Sequence, residues 1–231
     1  MIKTELYLVR HGQSKAQTGE DNGCDPELSE KGLLQAKCLG KRLKSIKFDR
    51  IISSSMTRAF QTAAGVAEYQ GGNIPIEVFP ELCECGIDQY WQPDENRQKS
   101  FYNNIIYHSR SLNTVYENDK QRATDALNKA VYPFAYADFD ECRECNEGIY
   151  KNNSKKILIA AHGMFNAYLI GLLVNFPFDE NTVIEQRNTC INKFVLYTMN
   201  DVKRVRFCSF NDTSHLKSEI DTWKSVSNPE P

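Results

Sequence analysis

Leu6-Tyr7-Leu8-Val9-Arg10-His11-Gly12 is the stretch on which the reading turns. A short apolar run closed by a cation, a histidine and a glycine predicts a buried strand that ends on Arg10 and His11. The same pattern returns at Ile157-Leu158-Ile159-Ala160-Ala161-His162-Gly163. In a parallel α/β sheet, residues just past the carboxyl ends of the strands face one crevice, and ligands bind there. Arginine brings a planar donor fork that matches a phosphoryl group. Histidine is the side chain that can be neutral and nucleophilic near pH 7. Together the two stretches predict phosphoryl transfer through a phosphohistidine.

Working outward, strand and helix alternate. A strand over Glu5 to Val9 runs into a polar loop from Gly12 to Asp25. Ser29 is placed to cap the next helix, whose stripe of Leu33, Ala36, Leu39, Leu43 and Ile46 recurs at three and four. Arg50-Ile51-Ile52-Ser53 predicts a second strand, and a helix carrying Phe60, Ala63, Ala64 and Ala67 follows until Gly71-Gly72. Ile76 to Phe79 predicts a third strand, closed by Pro80. From Asp88 to about Asn153 the chain turns polar and aromatic, with no clear strand and with helical spacing from Arg122 to Phe134. Alternation resumes with the strand at Ile157, a helix from Met164 to Asn175, and strands near Ile191–Tyr197 and Val205–Phe210. This order predicts one α/β domain over residues 1–231. The expected form is a three-layer α/β/α sandwich with a mostly parallel central sheet, and a helical insertion at about 88–153 over the active-site edge.

Composition narrows the setting. At 231 residues and 41% hydrophobic, the chain can bury a sizeable core. A net charge of −2 gives no bulk reason to expect nucleic acid or a membrane as partner. Lys203-Arg204-Val205-Arg206 alternates with apolar residues and reads as a solvated strand face. Met1-Ile2-Lys3 leads straight into the first strand without the regions of a signal peptide, and Tyr168 to Val174 is too short an apolar stretch to span a bilayer. A cytoplasmic protein is expected. Of eight cysteines, Cys83, Cys85, Cys142 and Cys145 have the count for a four-thiolate zinc site. The first pair follows a strand and the second precedes one, which sets them toward opposite sheet edges. Reduced, packed thiols are therefore expected.

The second strand's exit contributes Arg58 and the third contributes Glu81-Leu82-Cys83-Glu84. One edge thus gathers Arg10, His11, Arg58, a glutamate and His162. A transferring phosphoryl group spreads negative charge over three oxygens, so catalysis asks mainly for positive donors and alignment. A carboxylic acid can then protonate the leaving oxygen. This set needs no metal and no cofactor. Taken singly, a histidine after a strand is ordinarily a satisfied buried residue and an arginine before a helix a solvated one. Five such groups at the exits of one edge are hard to assemble by accident.

The residues also carry a resemblance. Leu8-Val9-Arg10-His11-Gly12-Gln13-Ser14 resembles the signature of the histidine phosphatase superfamily, which has the phosphoglycerate mutase-like fold. The likeness extends through Leu28-Ser29-Glu30-Lys31-Gly32 with Gln35-Ala36, and through Phe48 to Ser55, Arg58-Ala59 and Gln61-Thr62-Ala63. It returns at Ala161-His162-Gly163, Asn188-Thr189 and Asn211 to Leu216. The resemblance implies that His11 is the nucleophile and that Arg10, Arg58 and His162 hold the phosphate. It places the acid/base carboxylate in a Leu-x-Glu pattern, which Leu82-Cys83-Glu84 fits, so Glu84 is expected in that role and Glu81 at the surface. The backbone N–H of Gly163, opening a helix, is expected as a further phosphate donor, and Met164 is expected in the core.

Three departures refine the expectation. Gln17 stands where the family often has a phosphate-contacting Asn, and it is expected to serve with a longer reach. Cys85-Gly86-Ile87-Asp88-Gln89-Tyr90-Trp91 replaces a common Gly-x-Trp segment. The loop after His11 lacks the Trp-Asn and Arg-Phe elements of the bisphosphoglycerate-dependent mutases. The last departure favours a phosphatase over a mutase, and the expected activity is that of a metal-independent, histidine acid phosphatase-like hydrolase of a small phosphorylated substrate. A phosphoglycerate mutase-type phosphotransferase and a non-catalytic phospho-ligand-binding module are the alternatives. His215 is expected to support the catalytic loop and His108 to lie on the insertion surface. Tyr90, Trp91, Phe101, Tyr102 and Tyr107 form either a lid or the insertion's own small core. Substrate identity and oligomeric state are not legible in the sequence.

Overall fold

A computed structural model of the chain describes residues 3–86, 92–108, 116–135, 155–176, 183–200, 202–218 and 220–221. The four apolar runs form β1 (Lys3–Arg10), β2 (Arg50–Ser54), β3 (Ile76–Phe79) and β5 (Lys155–Ala161). With β4 (Ile105–Tyr107), β6 (Ile191–Met199) and β7 (Val202–Asp212) they build a seven-stranded sheet in the order β4-β3-β2-β5-β1-β6-β7. Pairing is parallel from β4 through β1 and antiparallel on to β6 and β7. The result is the mixed, mostly parallel α/β architecture that the alternation of elements implies.

Period-two side chains divide the core between the two faces of the sheet. Leu6, Leu8, Ile52, Ile157, Ile159, Phe194 and Leu196 pack on one face. Covering them are α5 (Asp119–Ala130), α6 (Tyr132–Ala135) and α7 (Gly163–Val174). Tyr7, Val9, Ile51, Ile76, Val78, Leu158 and Ala160 pack on the other face, under α2 (Glu30–Leu43) and α3 (Thr57–Ala67). Ser29 caps α2 by accepting the Gly32 N–H at 3.1 Å. Two further short α-helices are α1 (Lys15–Thr18) after β1, and α4 (Glu95–Phe101), which Gln98 ties to the Ser55 carbonyl. No helix among the described residues is long and apolar enough to cross a membrane.

Several local expectations are corrected. Leu33 is 48% exposed because the buried stripe of α2 runs through Gly32, Gln35, Ala36, Leu39, Gly40 and Leu43 instead. Met164 is 44% exposed, lying in the first turn of α7 on its outer side. The segment 88–153 contributes a strand, β4, which extends the sheet beyond β3. Its helix α5 is part of a covering layer, burying Ala123, Ala126, Leu127 and Ala130 against the core. Phe101, Tyr102 and Tyr107 pack against the opposite core, and Tyr102 donates to the Ile74 carbonyl. Tyr90, Trp91 and Asp88 lie outside the described residues, as do Cys142 and Cys145. His108 is partly exposed, as expected, but it is held in place. It follows β4, stacks on Phe79 at 4.0 Å and bonds Glu77, which Arg50 also grips with two 2.6 Å bonds.

The loop carrying His11 is held by close approach of backbone to backbone. A β-carbon on Gly32 would fall 2.0 Å from the Gln13 carbonyl oxygen, and one on Gly12 would fall 2.7 Å from the Gly32 oxygen. Neither obstacle is a flexible side-chain end, so the backbone itself must move. Gly32→Ala is therefore expected to lose about 1–3 kcal/mol, the range for overpacking a filled site. This should outweigh the helix-propensity gain of about 1 kcal/mol. Urea denaturation measures it, and an unchanged or raised midpoint would show that the contact gives way freely.

Candidate active site

Four strand exits that are neighbours in the sheet deliver the site. The order β3-β2-β5-β1 places Glu84, Arg58, His162 and Arg10-His11 side by side along one edge. Arg10 ends β1, and the His11 N–H continues the ladder by donating to the Ala161 carbonyl at 2.9 Å. His162 is the N-cap residue of α7, immediately after β5. Arg58 lies in the first turn of α3, immediately after β2. The N-terminus of α3 is fixed from outside by Asp25, whose carboxylate accepts the Thr57 N–H at 2.8 Å.

The geometry sets the tautomer of His11. Its Nδ1 lies 2.7 Å from the Gly12 carbonyl oxygen, which can only accept, so Nδ1 carries the hydrogen. Nε2 is then the lone-pair nitrogen, and it accepts a 3.3 Å bond from Arg58 Nε. The His162 ring lies 5.2 Å away, centroid to centroid, with its Nε2 2.9 Å from Ser54 Oγ. Both imidazoles are buried. Burial holds each well below the ordinary histidine range, and Arg58 and Arg10 push in the same direction. Arg10 Nε and His162 Nδ1 are buried without a hydrogen-bond partner among the described residues. Arg10 Nε is a donor that a bound anion can use, and His162 Nδ1 is another in the tautomer in which Ser54 Oγ donates to Nε2.

Glu84 is half-buried beyond β3, and Oε1 accepts the N–H groups of Cys85 and Phe165, each at 3.0 Å. Its charge acts favourably on both Arg10 and Arg58. Glu81 is not a surface residue as expected: it is 1% exposed. Pro80 opens a 3-10 turn over Pro80–Leu82, and this turns Glu81 back toward α5, where it accepts Lys129 Nζ at 2.8 Å. Gly163 opens α7 with no side chain, and a β-carbon there would stand 3.3 Å from Arg10 Nε. Gln17 is exposed; its Oε1 accepts the Ser14 N–H, and its amide meets that of Asn188. Asn188 in turn donates to the His11 carbonyl at 2.9 Å, which puts Gln17 at the rim, one residue removed from the nucleophile.

Sequence reasoning passed over several supports. Gln186 accepts from Arg10 Nη1 through its carbonyl and donates to the Gly163 carbonyl at 2.9 Å. Thr189 sits in the left-handed region at φ 55°, costly for a β-branched residue. Its N–H donates to the Arg10 carbonyl at 3.0 Å, and its hydroxyl meets His215 Nε2 at 3.2 Å. His215 thus steadies the loop behind His11, the structural role expected of it. Nothing in the local sequence of Gln186 marks it, while Ser54 and Thr189 lie in stretches that carry the resemblance without having been given a role.

The buried histidines give a pH dependence with a definite sign. Burial lowers His215 to about 4, and His11 and His162 are lowered as well. An unfolded chain takes up protons on histidine near pH 6.5, while the folded chain refuses them. Stability is therefore fully present above about pH 6.5 and falls as the pH is lowered from there. For His215 the fall continues to about pH 4. Urea midpoints at pH 7.5 and pH 5 should differ clearly, and equal midpoints would mean that these imidazoles titrate normally.

Comparisons with known proteins identify the family and the fold. The model of the histidine phosphatase superfamily (branch 1) matches residues 6–207. An adenosylcobalamin/alpha-ribazole phosphatase of Salmonella typhimurium is 43% identical over 81 residues, which is 34% of this chain and 39% of that enzyme. The match thus spans well under half the length of that relative. A probable phosphoglycerate mutase of Escherichia coli O1:K1 is 24% identical over 198 residues, covering 82% of this chain and 83% of the relative. Among solved structures, one named mycobacterial hydrolase 2 has a TM-score of 0.65 at 19% identity, covering 95% of both chains. The mycobacterial glucosyl-3-phosphoglycerate phosphatase with VO3 has a TM-score of 0.59 at 20% identity, covering 90% of this chain and 98% of its own. The structural likeness shows the fold. With the family match over most of its length, this chain belongs to the histidine phosphatase superfamily, branch 1.

Proposed function

We propose that the protein hydrolyses a small phosphomonoester through a phosphohistidine on His11, with Glu84 as acid and then base. The observation that carries this reading is the buried His11 ring, whose Nδ1–H is spent on the Gly12 carbonyl. That leaves a lone pair on Nε2 among Arg10, Arg58 and His162. In the first step Nε2 forms a bond to phosphorus as the ester P–O bond breaks, and Glu84 gives its proton to the departing oxygen. Because Oε1 already accepts two N–H bonds, the proton belongs on Oε2. In the second step the Glu84 carboxylate takes a proton from water as that water attacks phosphorus and the N–P bond breaks. Arg10, Arg58, His162 and the N–H of Gly163 neutralise the phosphoryl oxygens, and Gln17 serves at the rim.

The six cysteines among the described residues whose state is defined are all free, which supports a reducing, cytoplasmic setting. The test is a phosphoester panel in the presence of chelator, with phosphate release measured and labelled enzyme quenched in alkaline detergent, which preserves an N–P bond. Release of phosphate and label on His11 are expected. Transfer to a second hydroxyl instead of water would favour the mutase reading that the Escherichia coli relative brings. Binding without turnover would favour a phospho-ligand module, and label on serine or cysteine would overturn the mechanism.

A further inference from the structure

We propose that Arg122, on α5, is the positioning residue of the Glu84 carboxylate; the inference rests on the acid/base reading of Glu84 given above. Arg122 is 3% exposed, and all five of its N–H groups are engaged. Nη1 donates to the carbonyls of Glu81 at 3.0 Å and Cys83 at 2.7 Å, and Nη2 donates to the Glu84 carbonyl at 3.3 Å. The remaining donors, on Nε and Nη2, go to Asp119 Oδ1 at 3.1 and 2.6 Å. One planar cation thus holds three carbonyls of the loop that bears the carboxylate.

The same guanidinium also reaches the other side of the carboxylate. Its central carbon lies 4.2 Å from the centroid of the Phe165 ring. The Phe165 N–H is one of the two donors that fix Glu84 Oε1. Arg122 therefore locks the loop behind Glu84 to the first turn of α7 in front of it. Among the described residues Arg122 makes no hydrogen bond to His11, Arg10, Arg58 or His162; its charge adds to the lowering of His162, an effect that Arg122→Lys retains, while its hydrogen bonds reach the site through the loop that bears Glu84. Lysine cannot replace it, because three donors on a point charge cannot match three carbonyls and a carboxylate in one plane.

The experiment compares single-turnover phosphorylation of His11 by an alkyl phosphate, glycerol phosphate, and by p-nitrophenyl phosphate. The enzymes are wild type, Arg122→Lys, Asp119→Asn, Glu84→Gln and the Glu84→Gln, Arg122→Lys double variant. Misplacing a proton donor by an ångström costs roughly 10²-fold. Arg122→Lys is therefore expected to lose about that factor on the alkyl ester, with little loss on the aryl ester and little change in affinity for inorganic phosphate. In the Glu84→Gln background it is expected to add nothing on the alkyl ester. Asp119→Asn keeps the guanidinium and frees one side of it, so a smaller loss with the same selectivity is expected; it decides the matter if Arg122→Lys does not fold. Equal losses on both esters, or a loss that multiplies that of Glu84→Gln, would overturn the positioning role while leaving the acid assignment intact. A Glu84→Gln enzyme with no leaving-group selectivity would overturn the acid assignment, and the proposal with it.

Discussion

His11→Ala is expected to abolish turnover of every phosphomonoester that the wild-type enzyme accepts. Removing a covalent nucleophile is worth on the order of 10⁶-fold in kcat where nucleophile and partners act as a unit. The remaining site should still bind the anion, since Arg10, Arg58 and His162 are fixed by their own strand exits. Arg10 is held by Gln186, and His162 by Ser54. Affinity for inorganic phosphate is thus expected to survive while chemistry disappears, a split between binding and kcat that a collapsed site would not give. The variant should also carry no label after incubation with substrate and an alkaline quench. His162 is the obvious rival nucleophile, 5.2 Å away ring to ring. Its Nε2 is committed to Ser54, whose hydroxyl also accepts the Met56 N–H at 3.2 Å. Label appearing on His162 in His11→Ala, with turnover retained, would reverse the two roles.

Strand exits were legible because each is written locally. Leu6 to Val9 announces β1, and the next residues are by necessity at its end, so Arg10 and His11 needed no long-range information. The same holds for Arg58 after β2 and for His162 and Gly163 after β5. Elements whose stability comes from distant partners were not legible. In β4, Ile105 and Tyr107 are half-buried and Ile106 is 44% exposed. It exists because β3 offers it a parallel edge, a pairing that three residues cannot signal. Glu81 reads as a surface carboxylate until Lys129, far along the chain, is seen to meet it. Arg122 is the extreme case, since its hydrogen-bond partners beyond Asp119 are backbone carbonyls, as far as 41 residues away, that leave no mark in side-chain identity. Spacing alone left Glu81 and Glu84 open as the acid. The family resemblance chose Glu84, and the structure separates them by giving Glu81 to a lysine and Glu84 to the N-terminus of α7.

Glu84→Gln tests the acid more sharply than any other substitution, because it removes the proton and keeps the shape. The amide oxygen of Gln can still accept the Cys85 and Phe165 N–H groups that Oε1 accepts now, so the loop should stay in place. What is lost is the ability to give a proton to a departing alkoxide, typically worth about 10²- to 10⁴-fold. Alkyl phosphates should lose that full factor. A p-nitrophenyl ester departs with little help, so its phosphorylation step should be nearly spared. The second step still needs a base to take a proton from water, and Gln cannot supply one. Hydrolysis of the phosphohistidine should therefore become rate-limiting. A burst of nitrophenol equal to the enzyme concentration is expected, with labelled His11 accumulating behind it. Equal losses on both esters with no burst would assign the proton to another acid. Glu81 is a poor choice, held as it is by Lys129 on the far side of the 3-10 turn. The acid would then have to come from the 88–153 segment, with Asp88 the first residue to replace.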